Sequence, residues 1–439
     1  MTFEYQKYPP PDIPLQRSSL EPILCEIWKA RSFLYASDFE TEPLETTEAS
    51  DYQPFFRFDG NSIYAKNFIG FIQQDEHLLE IYPKVFKDKG VDKGLMLKHI
   101  FYWFRYCRKI RFPYAQSNLD SLPEKNIPEL LIWLFASQCL EVISQNPFHQ
   151  YQETAEALAT PRGKIDFQAY ARNGLARGLY HQIDCVYEPF VYDNQVNRTI
   201  KYVCRLLQSV ARFGETQEVL RKIVFTLDDV DDLPCSASSL QSVRLNAFFS
   251  DYEPILDWCR RFLDQHLYSH RPYELSTWSL LLPMEYVFED FVAGFIELEL
   301  PEWKVHPQKS DLYLTDTPKA FQMRHDIFLE HRENTNNRII VDTKYKMRPV
   351  DADDKKKGVS QADLYQVFSY AVRRKCPRVV LIYPNFQEEV RPPEHFEINV
   401  DWLEGGKITI MILEIPFWSG RNFGGLQEQL REGLREVLK

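Results

Sequence analysis

The sequence lacks most of the signatures that name a chemistry at sight. Its eight cysteines, at positions 25, 107, 139, 185, 204, 235, 259 and 376, form no CxxC pair and no Cys/His cluster. That argues against structural zinc and a disulfide framework, and for a reducing, cytoplasmic setting. The ten histidines show no HExxH or similar pairing, so zinc hydrolysis has no support. No G-x-S-x-G and no Cys/His arrangement points to covalent catalysis. There is no GxxxxGK[ST]; the GGK at 405–407 lacks the earlier glycine and the following hydroxyl residue, so no nucleotide is expected on this chain. No apolar run approaches the ~18 residues of a membrane span. The longest, LLIWLFA (130–136), stops at Ser137. The N-terminal MTFEYQKYPPPDIP has no apolar h-region, so neither a signal peptide nor a membrane is expected.

What remains is a long, well-filled, acidic chain. Its 439 residues exceed one ordinary core and predict two or three domains. Hydrophobic residues make up 44% and aromatics 14%, enough for real cores and against disorder. The formal net charge is −11. An acidic chain captures nucleic acid poorly by itself, because phosphate contacts need Lys and Arg. Action on DNA would therefore require local basic patches, metal ions or a partner.

The chain reads as an α+β multidomain protein with three parts. Residues 1–125 form a β-rich N-terminal domain, 126–270 a mainly helical middle region, and 271–439 an α/β domain with a mixed sheet flanked by helices. In the first, 37–60 is acidic and Pro/Thr-rich, a loop. NSIYAKNFIGFIQQDEHLLEIYPKVF (61–86) breaks into two or three strands with a hairpin. Residues 93–113 mix a helical period with the basic run RYCRKIR (105–111), which reads as a solvated helix face. Helices are expected over 126–145, 194–212 and 246–267, and a strand with a turn over 160–167. The last part predicts helix 283–298, strand 311–315, a hairpin, helix 361–374, strands 378–384 and 407–415, and a C-terminal helix carrying Leu426, Leu430 and Leu434 on one face.

The hairpin, RHDIFLEHRENTNNRIIVDTKYK (324–346), carries the chemistry. Ile339-Ile340-Val341 leads into Asp342, and Lys344 follows two residues later on the same strand face. A turn about Thr335 would set Asp326 opposite Lys344 and Phe328 opposite Asp342, so that all three charged groups converge. A slip of one residue would send Asp326 to the other face. Two buried carboxylates repel each other unless a cation sits between them. Mg²⁺ suits that role, with Mn²⁺ as a substitute, because it binds through one or two carboxylates and takes water and phosphate oxygens for the rest. Lys344 would orient the attacking water or stabilise developing charge. A DxK alone is commonplace, and a surface salt bridge is its ordinary explanation. Here the acid ends a β-branched apolar strand, Gln366 and Tyr370 share a face of the next helix, and Glu289 in VFEDFV could add a carboxylate. The spacing D-x(n)-D-x-K is the PD-(D/E)xK nuclease pattern.

DTKYK, DLYQVFSYA and VVLIYP together resemble the C-terminal nuclease domain of McrC, the nuclease subunit of McrBC modification-dependent restriction systems. Upstream, IYAKNFIGFI with LLEIYPKV resembles that family's segment ending in I-x-P-K. PRGKIDF and DCVYEPFVYDNQVNRTIKYV resemble its central region, and PMEYVFEDFV its Φ-FE-x-Φ-V helix. The resemblance runs from about Ile63 to Pro384. It implies catalytic roles for Asp326, Asp342 and Lys344, with Gln366 supporting. It also implies duplex, modified DNA as substrate, and an McrB-type AAA+ GTPase, a hexameric ring, as partner. His325 stands where the family usually has proline and reads as a neutral strand neighbour. The N-terminal β-rich region is the expected docking element, with Lys84 and the loop around Asp75 as contacts. The lysine-rich DKKKG (354–358) reads as a mobile loop beside the site. Two readings stand beside this one: a PD-(D/E)xK repair or transposon-linked nuclease without a motor, and a non-catalytic adaptor that activates an AAA+ NTPase.

Overall fold

A computed structural model of the chain describes residues 2–8, 17–29, 52–59, 62–74, 76–110, 126–266, 277–349, 353–401, 406–420 and 424–439. Asp75 and Arg111 lie outside these residues, as does most of the acidic 37–60 stretch. The chain is a mixed α and β protein with several sheets. It divides into two compact units, one within Met1–Phe112 and Ser279–Lys439, the other within Pro128–Trp278.

The first unit joins segments that were set apart on sequence as 1–125 and 271–439. The physical reason is pairing across great chain distance. Strand Phe68–Gln74 sits between His77–Tyr82 and Thr277–Pro283 in a four-stranded sheet, with Thr2–Phe3 at the other edge. Gly70 makes this close approach feasible: its backbone has φ +122°, and a Cβ there would lie 1.8 Å from the Leu280 carbonyl oxygen. A second small sheet, Lys7–Tyr8, Ser62–Ala65 and Phe56–Asp59, packs with helix Arg17–Lys29 around Leu20, Leu24, Phe55, Ile72 and Leu281.

The principal sheet of this unit has six strands in the order Trp303–Tyr313, Gln322–His331, Arg338–Thr343, Arg378–Pro384, Lys407–Ile415, Glu394–Asn399. Its first two pairings and its last are antiparallel, and the central two are parallel. The central strands RIIVDT and RVVLIYP are buried on both faces, as parallel strands between helices are. On one face Phe328, Ile340, Leu381 and Ile410 pack against Val367, Tyr370 and Ala371 of helix Gln361–Arg374. Helix Met284–Glu299 also packs on the sheet, with Val287, Phe288, Phe291 and Phe295 fully buried. The strand expected at 311–315 is the end of the longer Trp303–Tyr313.

The second unit contains helices Gln195–Val210, Gly214–Thr226 and Tyr252–His266, and also a three-stranded sheet of Thr154–Leu158, Ile183–Tyr187 and Lys164–Ile165. The middle of the chain is thus less purely helical than its periodicity suggested. Its helix Ile127–Gln145 is long and apolar enough, by length and composition, to cross a membrane, but 67% of that apolar stretch is buried inside the protein. Leu130, Leu134 and Phe135 are core residues. Asp257 and Glu253 keep the solvent side of a neighbouring helix polar, the ordinary amphipathic pattern.

Candidate active site

The two acids are brought together by the hairpin, in a register that differs from expectation. Ile327 pairs with Val341, Phe328 with Ile340 and Leu329 with Ile339. Continuing the ladder by one position sets Asp326 against Asp342, and not against Lys344. The shift is two residues; the charge of Asp326 is felt at Asp342 and at Glu289, and its carboxylate bonds Thr343, the residue after Asp342. The cause lies in the turn. It centres on Asn334, whose carbonyl accepts the Asn337 N–H (2.9 Å) and whose side chain accepts the Asn336 N–H (3.2 Å), while the His331 N–H closes on the Asn337 carbonyl (3.0 Å). Such local Asn bonding selects one turn among several that an Asn-rich stretch allows.

Asp342 is fully buried, with Oδ2 2.8 Å from Lys344 Nζ. Its Oδ1 has no hydrogen-bond partner. Burial, and then the charge of Asp326, push its carboxyl up to about 7 against the opposing pull of Lys344. Asp326 is better served: Oδ2 accepts the Thr343 N–H (2.8 Å) and the Thr343 hydroxyl (3.0 Å). Burial still raises it, despite Lys344 and those bonds. For Lys344, burial disfavours the ammonium, but Asp342 and Asp326 outweigh it and raise its pKa. The Lys344 N–H bonds to the Ile382 carbonyl at 2.9 Å, which ties this residue to the neighbouring strand one position past the end of Arg338–Thr343.

Helix Gln361–Arg374 supplies the rest. Ser360 caps it by accepting the Asp363 N–H (3.2 Å). Gln366 accepts from Lys344 Nζ at 3.1 Å and donates to the Tyr370 hydroxyl at 2.9 Å; that hydroxyl donates to the Arg324 carbonyl at 2.8 Å. Asp363, one turn earlier, pairs with Lys346. Lys344 is therefore held between an acid on its own strand and an amide on the covering helix.

Glu289, from helix Met284–Glu299, is buried. Burial and the charge of Asp326 hold its carboxyl well above the usual range, and Gln308 Nε2 donates to it. Gln308 has left-handed backbone (φ 52°) near the register shift of its strand, a conformation unusual for a non-glycine residue. His325 is buried, with Nδ1 3.0 Å from the Lys309 carbonyl, and burial lowers its pKa.

Two sequence-based contacts are placed elsewhere. Lys84 donates to the Tyr345 carbonyl at 3.0 Å and lies 4.3 Å from the Tyr345 ring centre. Its ammonium is thus engaged inside the unit, one residue beyond Lys344. Glu4 completes that cluster, accepting from the Tyr345 hydroxyl (3.0 Å) and the Lys84 N–H (2.9 Å). In DKKKG, Asp354 accepts the Lys356 N–H (2.9 Å) and Gly358 N–H (2.8 Å), and Lys357 donates to the His395 carbonyl at the far edge of the sheet. Thr343, Tyr345 and Arg324 were not singled out on sequence. Only Thr343 carried a signal, as the hydroxyl residue between the acid and the lysine.

Hard oxygen donors in a buried, mutually repelling pair suit a hard divalent cation, and the unpartnered Asp342 Oδ1 gives it a place to bind. Among the described residues no three acid, His or Cys side chains converge as a metal cage. Glu289 therefore stands beside the pair and does not complete a three-carboxylate cluster. Asp326 and Asp342 would hold such an ion, the remaining positions falling to water and substrate oxygens, the habit of Mg²⁺.

The McrBC 5-methylcytosine restriction system component family model matches residues 63–384, most of the chain. The chain belongs to that family. Its fold also extends over a solved relative from end to end. The refined half-complex from a tetradecameric assembly of Thermococcus gammatolerans McrB AAA+ hexamers with bound McrC contains a chain that superposes with a TM-score of 0.73 at 18% identity, covering 100% of this chain and 99% of that one. The cryo-EM structure of the Thermococcus gammatolerans McrBC complex gives a TM-score of 0.53 at 18% identity, covering 68% of this chain and 88% of that one. At such identity these likenesses show fold alone. No curated protein matches. The McrBC-family match takes in Asp326, Asp342, Lys344 and Gln366, but ends before the last two strands of the sheet.

Proposed function

We propose that this chain is the McrC-type nuclease subunit of an McrBC-like restriction complex, a Mg²⁺-dependent endonuclease of the PD-(D/E)xK class acting on duplex DNA. The observation that carries this is the buried pair Asp326 and Asp342, close enough for their charges to interact, with Lys344 2.8 Å from Asp342 and one carboxylate oxygen unpartnered. A structural salt bridge has no reason to bury a second acid against the first.

Bound Mg²⁺, or Mn²⁺ in its place, would supply Lewis-acid stabilisation of phosphate charge and a water of lowered pKa. Asp326, fixed by Thr343, and Asp342, strained by burial, would be its protein ligands. Lys344 would place its ammonium beside the attacked phosphate, and Gln366 would hold that ammonium in line. Tyr370 would keep Gln366 from rotating by tying it to the Arg324 carbonyl. Glu289 would raise the negative field behind Asp326 without joining the ligand set.

The acidic net charge favours a partner that captures DNA. The end-to-end likeness to a chain from McrB–McrC assemblies supports an McrB-type AAA+ GTPase ring in that role. The test is cleavage of modified duplex DNA by the chain with that partner, GTP and Mg²⁺. Asp342→Ala is expected to abolish cleavage while partner binding and GTPase stimulation persist. Cleavage that survives mutation of Asp326, Asp342 and Lys344 together would favour the adaptor, and cleavage without nucleotide or partner the stand-alone nuclease.

A further inference from the structure

Of the basic run at 105–111, Arg105 lies on its helix, while the exposed Arg108 and Lys109 lie beyond the helix end. That helix, Lys93–Tyr106, ends at Cys107, and the chain then lies along helix Met284–Glu299. Gly294 permits the approach: a Cβ there would fall 1.8 Å from the Tyr106 carbonyl oxygen and 3.3 Å from Arg108 Cγ. The Lys109 N–H bonds to Asp290 at 3.0 Å, and Arg108 Nε pairs with Glu297 at 2.9 Å. These contacts turn Arg108 and Lys109 into one wall of an open cavity of about 460 Å³, whose other lining residues include Arg324, Gln308 and Glu289.

That cavity adjoins the acid pair. Arg324 is two residues before Asp326 on the same strand, and its carbonyl accepts the Tyr370 hydroxyl of the Lys344–Gln366–Tyr370 relay. Glu289, in the cavity wall, is close enough to Asp326 for their charges to interact. The cleft's lining carries three cations, Arg108, Lys109 and Arg324, against two acids, Glu289 and Asp290, and arginine forks match phosphate oxygens in geometry as well as charge. The volume is that of an ordinary ligand site, large enough for a nucleotide unit.

We propose that Arg108, Lys109 and Arg324 form a phosphate-binding subsite that holds the nucleic-acid backbone beside the acid pair and so positions the phosphate to be cut. The ligand class is a phosphodiester chain, recognised by charge and not by base. The inference rests on the nuclease reading. The competing role for these cations is to neutralise Glu289 and Asp290 within the fold.

The test is binding of a labelled duplex oligonucleotide by the full chain in EDTA, as a function of salt. Each phosphate contact contributes about 0.9 to the slope of log affinity against log salt. Arg108→Gln with Lys109→Gln should lower that slope by about 2, so that the wild type loses roughly tenfold more affinity than the variant between about 50 and 200 mM salt. The charge-preserving Arg108→Lys with Lys109→Arg should keep the slope, and Lys109→Gln alone should lower it by about 1, which covers a double variant that fails to fold. An unchanged slope in a folded variant overturns the subsite, as does a wild type that binds no duplex at low salt. Cleavage with Mg²⁺, partner and GTP is followed in parallel. Intact cleavage with an unmoved slope sinks the subsite alone. A lowered slope without any wild-type cleavage sinks the nuclease reading and leaves the subsite standing.

Discussion

Asp326 and Asp342 are close enough for their charges to interact but are not equivalent: Asp326 Oδ2 accepts two bonds from Thr343, whereas Asp342 Oδ1 accepts none. Asp342 is therefore the acid whose charge depends most on a cation. Asp342→Asn should lower cleavage by at least about 10³-fold, because charge at the reacting phosphate is worth several kcal/mol. The same variant removes a buried like-charge repulsion. In EDTA near pH 8 its melting temperature should equal or exceed that of the wild type. Calorimetry checks this, and a large drop would show that Asp342 serves the fold.

Gln366 and Tyr370 act through Lys344. Gln366→Ala should cost about fivefold in kcat, in keeping with a lost positioning bond of about 1 kcal/mol, while Lys344→Ala should cost far more. Tyr370→Phe loses its bond to the Arg324 carbonyl and should destabilise by about 1 kcal/mol in urea unfolding. Equal losses in Gln366→Ala and Lys344→Ala would put Gln366 at the reacting atoms.

Glu4 predicts a pH dependence. Burial raises its carboxyl to about 7 in the fold, against 4.5 as the ordinary value, outweighing Lys84 and Tyr345. Between those values the folded chain keeps a proton that the unfolded chain has released, so stability falls as pH rises from about 4.5 to about 7 and then levels off. Its share of that fall is about 3 kcal/mol. Glu4→Gln should flatten it, which urea melts across the range would show.

Gly294→Ala tests how closely the two helices meet. The added Cβ cannot coexist with the Tyr106 carbonyl 1.8 Å away, so the helix end must move, at a cost of about 1–3 kcal/mol or more. The variant should melt lower and bind duplex more weakly than Arg108 and Lys109 alone would explain. An unchanged melting temperature would contradict the packing.

Much of this was legible in sequence. Helices Gln361–Arg374 and Ile127–Gln145 and strand Arg378–Pro384 follow from apolar periodicity. Asp342 and Lys344 follow from the acid that ends a β-branched run. The register did not follow, because ENTNN offers several turns and only side-chain bonding by Asn334 chooses one. Strand Glu394–Asn399 escaped notice because its alternation is short and mostly polar, as befits a sheet edge. The cleft of Arg108, Lys109 and Arg324 depends on a helix–helix approach between residues far apart in the chain, which no local pattern encodes.

Mn²⁺ titration followed by electron paramagnetic resonance addresses the shared grip of the two acids most directly. One Mn²⁺ should bind per chain, compete with Mg²⁺, and be lost in both Asp326→Asn and Asp342→Asn. Binding that survives either substitution unchanged would contradict a metal held jointly by the pair.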